Sequence, residues 1–223
     1  MILQELFQQP YEKISSEDFK AMVSKLDIDK NYPPRTGTFA AVYRGNDSKI
    51  VYKVGRVNQG KTPENDPYLN FINQIKNTND PVFPQIYDIK IYQLTNPLTG
   101  TDITNNRIHN SRWVYFAYIV TMERLRPFEP TWKELEYLWD RYFTVPPYNF
   151  DDHGEFLSDF ISKLGSIAAR NTATEEIKDP YAKHFIEVLH PLVKKFENDI
   201  YMSNVMMRRT PYGIQPVITD PVC

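Results

Sequence analysis

The sequence of 223 residues contains a single cysteine, Cys223, which excludes an internal disulfide and is typical of a reducing compartment. Long hydrophobic runs are also lacking. The longest apolar stretch, Trp113 to Met122, is about half of the roughly 20 residues that a membrane-spanning helix needs. No basic segment precedes an apolar run near Met1, so no signal peptide is expected. These absences favour a protein of the cytoplasm without a membrane contact.

An excess of charge of either sign is lacking too. The chain carries 26 Lys and Arg against 28 Asp and Glu, and the net charge of −2 argues against a protein that coats nucleic acid. No repeat or low-complexity tract is present. With 41% hydrophobic residues, the chain can bury a core as one large domain or two small lobes.

Periodic patterns predict a mixture of strands and helices. Ser15 is a helix cap, and apolar residues at helical spacing follow it as far as Leu26. Apolar and β-branched residues between turns predict strands at 35–43, 49–54, 83–92 and 112–122. Apolar residues that recur every third or fourth position predict helices at 68–75, 132–143, 154–170 and 180–196. The expected fold class is therefore α+β.

Three oxygen-bearing side chains in the last part of the chain surround one possible cation site. Asp199 is followed five positions later by Asn204, and Asp220 ends a β-branched run. The proline and glycine at 210–213 predict a hairpin turn, which brings Asn204 and Asp220 side by side. Phosphoryl transfer needs this layout, because an acid orients the attacking hydroxyl while an amide oxygen and a carboxylate hold Mg²⁺ against the nucleotide phosphates.

The order D-x-x-x-x-N, hairpin, V-I-T-D resembles the catalytic loop and metal-binding Asp of the protein-kinase-like fold. The ending Asp220-Pro-Val, in place of Asp-Phe-Gly, resembles the early serine/threonine protein kinases of T7-type bacteriophages. Motifs in the family's order cover residues from about 35 to the end. The resemblance implies a two-lobed fold: a helical leader at 1–34, a small, mainly antiparallel β N-lobe at 35–123, and a reduced, mainly helical C-lobe at 124–223.

The resemblance also implies roles for residues in both lobes. Asp199 would be the catalytic base, Asn204 and Asp220 the metal ligands, and Lys53 the contact to the phosphate oxygens. The remaining nucleotide contacts would come from four parts of the N-lobe. These are the glycine loop with Gly37 and Phe39, the adenine pocket with Val42 and Val51, the gatekeeper Met122, and the hinge with Glu123 and Leu125. The implied cofactors are ATP and Mg²⁺. The implied substrates are host bacterial proteins, first of all transcription or RNA-processing machinery, in the host cytoplasm.

In the N-lobe the chain departs from the family's pattern twice. The candidate regulatory helix, Tyr68–Ile75, contains no glutamate to pair with Lys53, and Glu64, which precedes it, is the only acid near enough to take that role. The glycine loop keeps only Gly37 of the three glycines in the family's pattern. Lys53 must therefore be oriented by some other group than a helix glutamate.

Two further departures lie in the C-lobe. Glu197-Asn198 replaces the His-Arg that usually precedes the catalytic Asp, and three residues follow Asp220, which predicts no activation segment. The alternative function is a catalytically inactive kinase-like protein that binds and inhibits a host protein. Retention of Lys53, Asp199 and both metal ligands favours the enzyme, because a binder has no chemical need for them.

A second nucleotide motif overlaps the N-lobe. Residues 55–62 match the P-loop pattern G-x-x-x-x-G-K-T and follow an apolar strand. A P-loop requires a helix that begins at Lys61-Thr62, because the helix N-terminus binds the phosphates. Pro63 and Pro67 oppose that helix. A P-loop NTPase is therefore the remote alternative.

Overall fold

The computed structural model describes residues 11–37, 39–57, 61–99, 113–170, 176–195, 200–201, 204–211 and 213–220, and the structural statements below refer to these. The chain is α+β, as the sequence predicts. It divides into two compact units. The first contains residues 1–78 and 85–124, and the second contains residues 79–84 and 125–223.

A six-stranded sheet forms the first unit, in the order β1-β5-β6-β4-β3-β2. Only the pairing of β1 with β5 is parallel, and the other pairs are antiparallel. The strands are β1 (Glu12–Ile14), β2 (Arg35–Thr36), β3 (Ala40–Arg44), β4 (Ile50–Arg56), β5 (Ile86–Thr99) and β6 (Trp113–Glu123).

One face of this sheet is covered by the first helix, α1 (Ser16–Ser24). The Ser15 side chain accepts a hydrogen bond from the Asp18 N–H and caps the helix, as predicted. Phe19 of α1 is only 2% exposed and packs in a core cluster with Val54 and Tyr92 of the sheet. The burial of this apolar face fixes which side of each strand points toward α1.

The second helix, α2 (Pro67–Ile75), follows a short 3₁₀ turn at Pro63–Asn65. Asp66 caps it, because its carboxylate accepts a hydrogen bond from the Leu69 N–H at 3.0 Å. Pro67 occupies the first helical turn, where its missing N–H costs nothing. The helix has a long buried face that includes Leu69 and Ile72, both fully buried.

Three helices form most of the second unit: α3 (Trp132–Tyr142), α4 (His153–Arg170) and α5 (Pro180–Lys195). Their boundaries agree with the predicted helices to within one or two residues. Thr131 and Glu134 form the expected cap of α3 as a complete capping box. An aromatic core joins α3 to α4 through ring contacts of Trp139 with Phe156 and Phe160. Within the described residues, no helix combines the length and hydrophobicity that a membrane crossing requires.

The second unit also contains the predicted hairpin. Its strands β8 (Val205–Thr210) and β9 (Gly213–Ile218) pair antiparallel, and the short strand β7 (Arg126–Pro127) pairs with β8. Gly213 in the turn has a φ of +113°, a conformation that favours glycine.

Residues 79–84 belong to the second unit although the chain around them belongs to the first. The Ile218 N–H donates to the Val82 carbonyl at 3.1 Å, and the Arg208 guanidinium donates to the carbonyls of Pro81 and Phe83. Strand β5 therefore begins at Ile86 rather than at residue 83 as the sequence predicted, because the backbone before it is held by the β8-β9 hairpin.

Candidate active site

Strand pairing places four of the expected nucleotide-binding residues on one face of the first unit's sheet. Val42 lies opposite Lys53, and Val51 lies opposite Met122. Because side chains alternate along a strand, Val51 and Lys53 share a face of β4. Met122 is buried and the other three are half-buried. Three strands thus form an apolar wall that carries one lysine.

Helix α2 packs on the same face as Lys53. The Lys53 Nζ lies 3.5 Å from the centroid of the Tyr68 ring, and Tyr68 stacks on Tyr118 of β6. Tyr68 is 6% exposed and Lys53 is half-buried, so the ring side of this contact is shielded from water. An aromatic face attracts a cation most strongly when the contact is desolvated. The first turn of α2 therefore presents a π face to the lysine.

Glu64, the nearby acid considered for Lys53, has other partners. Its carboxylate accepts hydrogen bonds from the Tyr11 hydroxyl and from Thr62. Although burial of the Glu64 carboxyl raises its pKa, these hydrogen bonds outweigh that effect and the pKa lies below its usual value. Among the described residues, Glu64 is thus fixed as an anion by Tyr11 and Thr62 rather than by Lys53.

Gly37 and Phe39 lie in the connection from β2 to β3. The Gly37 N–H donates to the Ala40 carbonyl at 2.8 Å, and a β carbon at Gly37 would meet nothing closer than 3.7 Å. The Phe39 ring lies 5.4 Å from the Arg56 guanidinium. By alternation along β4, Arg56 shares the α1 face with Val54. The structure therefore does not bring Phe39 together with Lys53.

At the end of β6, the expected hinge has two of its three amides already bonded. The Glu123 N–H donates to the Gln85 carbonyl at 2.8 Å, and the Arg124 N–H donates to the Lys49 carbonyl at 2.7 Å. Among the described residues, the Leu125 N–H has no hydrogen-bond partner. Two of the three amides of the expected hinge are thus bonded within the first unit.

In the second unit, the open end of the hairpin holds Asn204 next to Asp220, as the sequence predicted. The Asn204 carbonyl accepts hydrogen bonds from the Thr219 N–H at 2.9 Å and from the Thr219 hydroxyl at 3.0 Å. Asp220 follows directly, and both predicted metal ligands are half-buried. The Asn204 N–H donates to the Tyr201 carbonyl at 2.9 Å. Asp199, the predicted base, lies outside the described residues.

The donor set at this end of the hairpin fits Mg²⁺. Amide and carboxylate oxygens are hard ligands, and Mg²⁺ is commonly held by one or two protein carboxylates together with waters and substrate phosphates. Asn204 and Asp220 supply two such oxygens from neighbouring positions. Within the described residues, no group of three His, Cys, Asp or Glu side chains that could hold a metal ion comes together.

The described part of the segment that matches the P-loop pattern differs from a P-loop. Its first glycine, Gly55, lies inside β4 opposite Tyr118, and no helix begins at Lys61-Thr62. The 3₁₀ turn begins at Pro63 instead. Residues 58–60 lie outside the described residues. The described part thus lacks the helix N-terminus that binds phosphate in a P-loop.

A cavity of about 530 Å³ opens in the first unit between α1 and the sheet. Its lining is mainly apolar and includes Phe19, Tyr43 and Val54. Because Val54 alternates with Lys53 along β4, this cavity lies on the opposite face of the sheet from the lysine. It does not belong to the predicted nucleotide site.

Sequence reasoning missed two aromatic residues beside Lys53. Tyr68 was recognised only as part of a helix, and Tyr118 only as part of an apolar strand. A signal existed in Gly55, because a glycine inside a strand often marks the close approach of another group. That group is the Tyr118 ring.

Comparisons with known proteins add no assignment. No protein-family model matches the chain, and no curated protein matches it.

Proposed function

We propose that the protein is an ATP- and Mg²⁺-dependent serine/threonine protein kinase of the T7-phage type, with a two-lobed protein-kinase-like fold. The observation that carries this proposal is the shared sheet face of Val42, Val51, Lys53 and Met122, with α2 packed on the same face. A lysine on an apolar wall suits a nucleotide, because the wall covers the base while the ammonium contacts phosphate oxygens.

The second unit supports the same function. Asn204 and Asp220 would hold Mg²⁺, which when bound neutralises charge on the transferred phosphoryl group. Asp199 would orient the serine or threonine hydroxyl and accept its proton. The order of the elements along the chain agrees with this assignment. Strand β4, which carries Lys53, is followed by α2, β6, the helices α3 to α5 and the β8-β9 hairpin. Host bacterial proteins are the proposed substrates.

The test is transfer of label from γ-labelled ATP. The purified full chain is incubated with Mg²⁺ and a bacterial lysate, in parallel with Asp199→Asn, Asp220→Ala and a matched acidic control, Asp88→Asn. Asp88 is exposed on β5. We expect label on serine or threonine with the wild type and Asp88→Asn, and none with the other two variants.

Equal labelling by all four proteins would show a contaminating kinase and contradict the proposal. The absence of labelling by a folded wild type would also contradict the proposed kinase function. The inactive kinase-like binder would then be the next hypothesis, because that protein would keep the fold without the transfer reaction. Circular dichroism of each variant shows whether the fold is intact.

A further inference from the structure

Lys53 is held by a contact that the family resemblance did not imply. Its Nζ lies 3.5 Å from the Tyr68 ring centroid, well inside the limit of about 6 Å for a cation–π interaction. Tyr68 is buried in the first turn of α2. A buried ring has little freedom to move, so it fixes the position of the ammonium above it.

The Tyr68 ring is itself supported from behind. It stacks on Tyr118 with ring centroids 5.6 Å apart and an interplanar angle of 28°. Tyr118 lies over Gly55, where a β carbon would be 2.2 Å from its Cζ. Only glycine leaves room for the ring at this position. We call Tyr68 and Tyr118 the aromatic platform of Lys53.

The sequence of α2 explains why a ring takes this position. Residues Pro67–Ile75 contain no Asp or Glu, so this helix brings a π face to Lys53 and not a carboxylate. The carboxylate of Glu64, just before the helix, is bonded to Tyr11 and Thr62. The helix that packs beside the lysine thus contributes Tyr68.

We propose that Tyr68 is a positioning residue whose ring holds the Lys53 ammonium by a cation–π contact, with Tyr118 as its support. The inference rests on the proposed kinase function and names the group that takes the place of the helix glutamate. Because the ring has no net charge, this contact holds the ammonium without neutralising it. An ammonium held in this way would meet the phosphate oxygens of the nucleotide from a defined position.

A spectroscopic test addresses the contact directly. In the full chain with ¹³C-labelled lysine, the Lys53→Met variant identifies the Lys53 signals. The ring current of Tyr68 should move the wild-type Lys53 ε-CH₂ protons upfield. Tyr68→Phe should keep this shift and Tyr68→Leu should abolish it. An unshifted Lys53 signal in the wild type, or one that Tyr68→Leu leaves unchanged, would overturn the proposal.

Kinetics test the consequence for the nucleotide. Tyr68→Leu should lower kcat/KM for ATP by about tenfold, equivalent to about 1.4 kcal/mol. Tyr68→Phe should retain most of the activity, because it keeps the ring. Leu69→Ala is the matched control, since Leu69 is fully buried on the same helix and has no ring. An equal loss with Leu69→Ala, or with Tyr68→Phe, would assign the effect to helix packing and overturn the positioning role.

The two readouts separate this inference from the proposed function. A wild type that transfers no phosphate contradicts the kinase function, while the Lys53 ring-current shift still decides whether the cation–π contact exists. An active enzyme without that shift retains the kinase function and rejects Tyr68 as its positioning residue.

Discussion

The backbone carbonyl of Asn204 accepts two hydrogen bonds from Thr219, one from its N–H at 2.9 Å and one from its hydroxyl at 3.0 Å. The two residues precede and follow the hairpin strands, and Asp220 comes next in the chain. These two hydrogen bonds hold Asn204 and Asp220, the two proposed metal ligands, next to each other at the open end of the hairpin. The Thr219 hydroxyl would therefore contribute to the geometry of the proposed Mg²⁺ site without being one of its proposed ligands.

Thr219→Val removes that hydroxyl and keeps the shape of the side chain. We expect a loss of about 1 kcal/mol in the free energy of unfolding, the usual net value of one hydrogen bond. We also expect the Mg²⁺ concentration for half-maximal phosphate transfer to rise about tenfold, as when a group behind a metal ligand is lost. Thr219→Ser, which keeps the hydroxyl, should behave as the wild type. Equal behaviour of the Val and Ser variants would contradict this role.

Gly55→Ala tests the close approach of Tyr118 to β4. The added β carbon would lie 2.2 Å from the Tyr118 Cζ, so the ring must move. Forcing an extra methyl group into a packed core costs about 1–3 kcal/mol, and we expect a loss of that size in chemical denaturation. Gly37→Ala is the matched control, because its nearest contact would be 3.7 Å. That variant should change stability by less than about 0.5 kcal/mol.

Local signals predicted much of this fold. The Ser15 and Thr131 caps, the helices of the second unit and the β8-β9 hairpin follow from side-chain chemistry and periodicity within a few residues. The hairpin also brought Asn204 beside Asp220, because turn residues fix which strand ends meet. Such features need no knowledge of the rest of the chain.

Contacts between distant residues could not be predicted in the same way. The sequence shows that α2 lacks an acid, but it does not show that Tyr68 would lie over Lys53, since this depends on how the helix packs on the sheet. A strand was predicted to begin at residue 83, but hydrogen bonds of Pro81 and Val82 to Arg208 and Ile218 hold this stretch in the second unit. These features depend on tertiary packing, which periodicity does not encode.

The ion pair between Arg141 and Asp179 supports a further prediction. The Arg141 Nε lies 2.6 Å from the Asp179 carboxylate, whose side chain is 2% exposed. The same carboxylate accepts hydrogen bonds from the N–H groups of Tyr181 and Ala182 at the start of α5. Asp179→Ala leaves a guanidinium without its partner and α5 without its cap. We expect a loss of about 2–4 kcal/mol in the free energy of unfolding, from the lost helix cap and the lost charge-assisted hydrogen bonds.

Tryptophan fluorescence during urea unfolding measures this loss, because Trp139 lies in the same unit. The matched control is Asp88→Ala. Its pair with Lys90 has side-chain exposures of 53% and 59%, and exposed pairs contribute little. A change below about 1 kcal/mol for Asp179→Ala would show that the Asp179 carboxylate, with its bonds to Arg141 and to the start of α5, does not stabilise the fold.

The capping box of α3 predicts a dependence of stability on pH. Hydrogen bonds from the Thr131 backbone and hydroxyl lower the pKa of Glu134, and the Arg209 guanidinium at 3.2 Å acts in the same direction. Because the carboxylate is favoured in the folded state, its stabilisation is present above the unfolded pKa of about 4.3 and is lost as the pH falls through the lower folded value.

Glu134→Gln removes the charge and keeps the size of the side chain. At pH 7 the variant should be less stable by about 0.5–1 kcal/mol, the range for an exposed helix cap. The difference from the wild type should shrink as the pH falls below about 4, since the wild-type carboxylate then becomes protonated. Urea unfolding at a series of pH values measures this difference in stability. Glu136→Gln, on the same helix but outside the capping box, is the control. If the difference in the free energy of unfolding between the wild type and Glu134→Gln stays constant down to pH 3, the charge of Glu134 does not stabilise the fold.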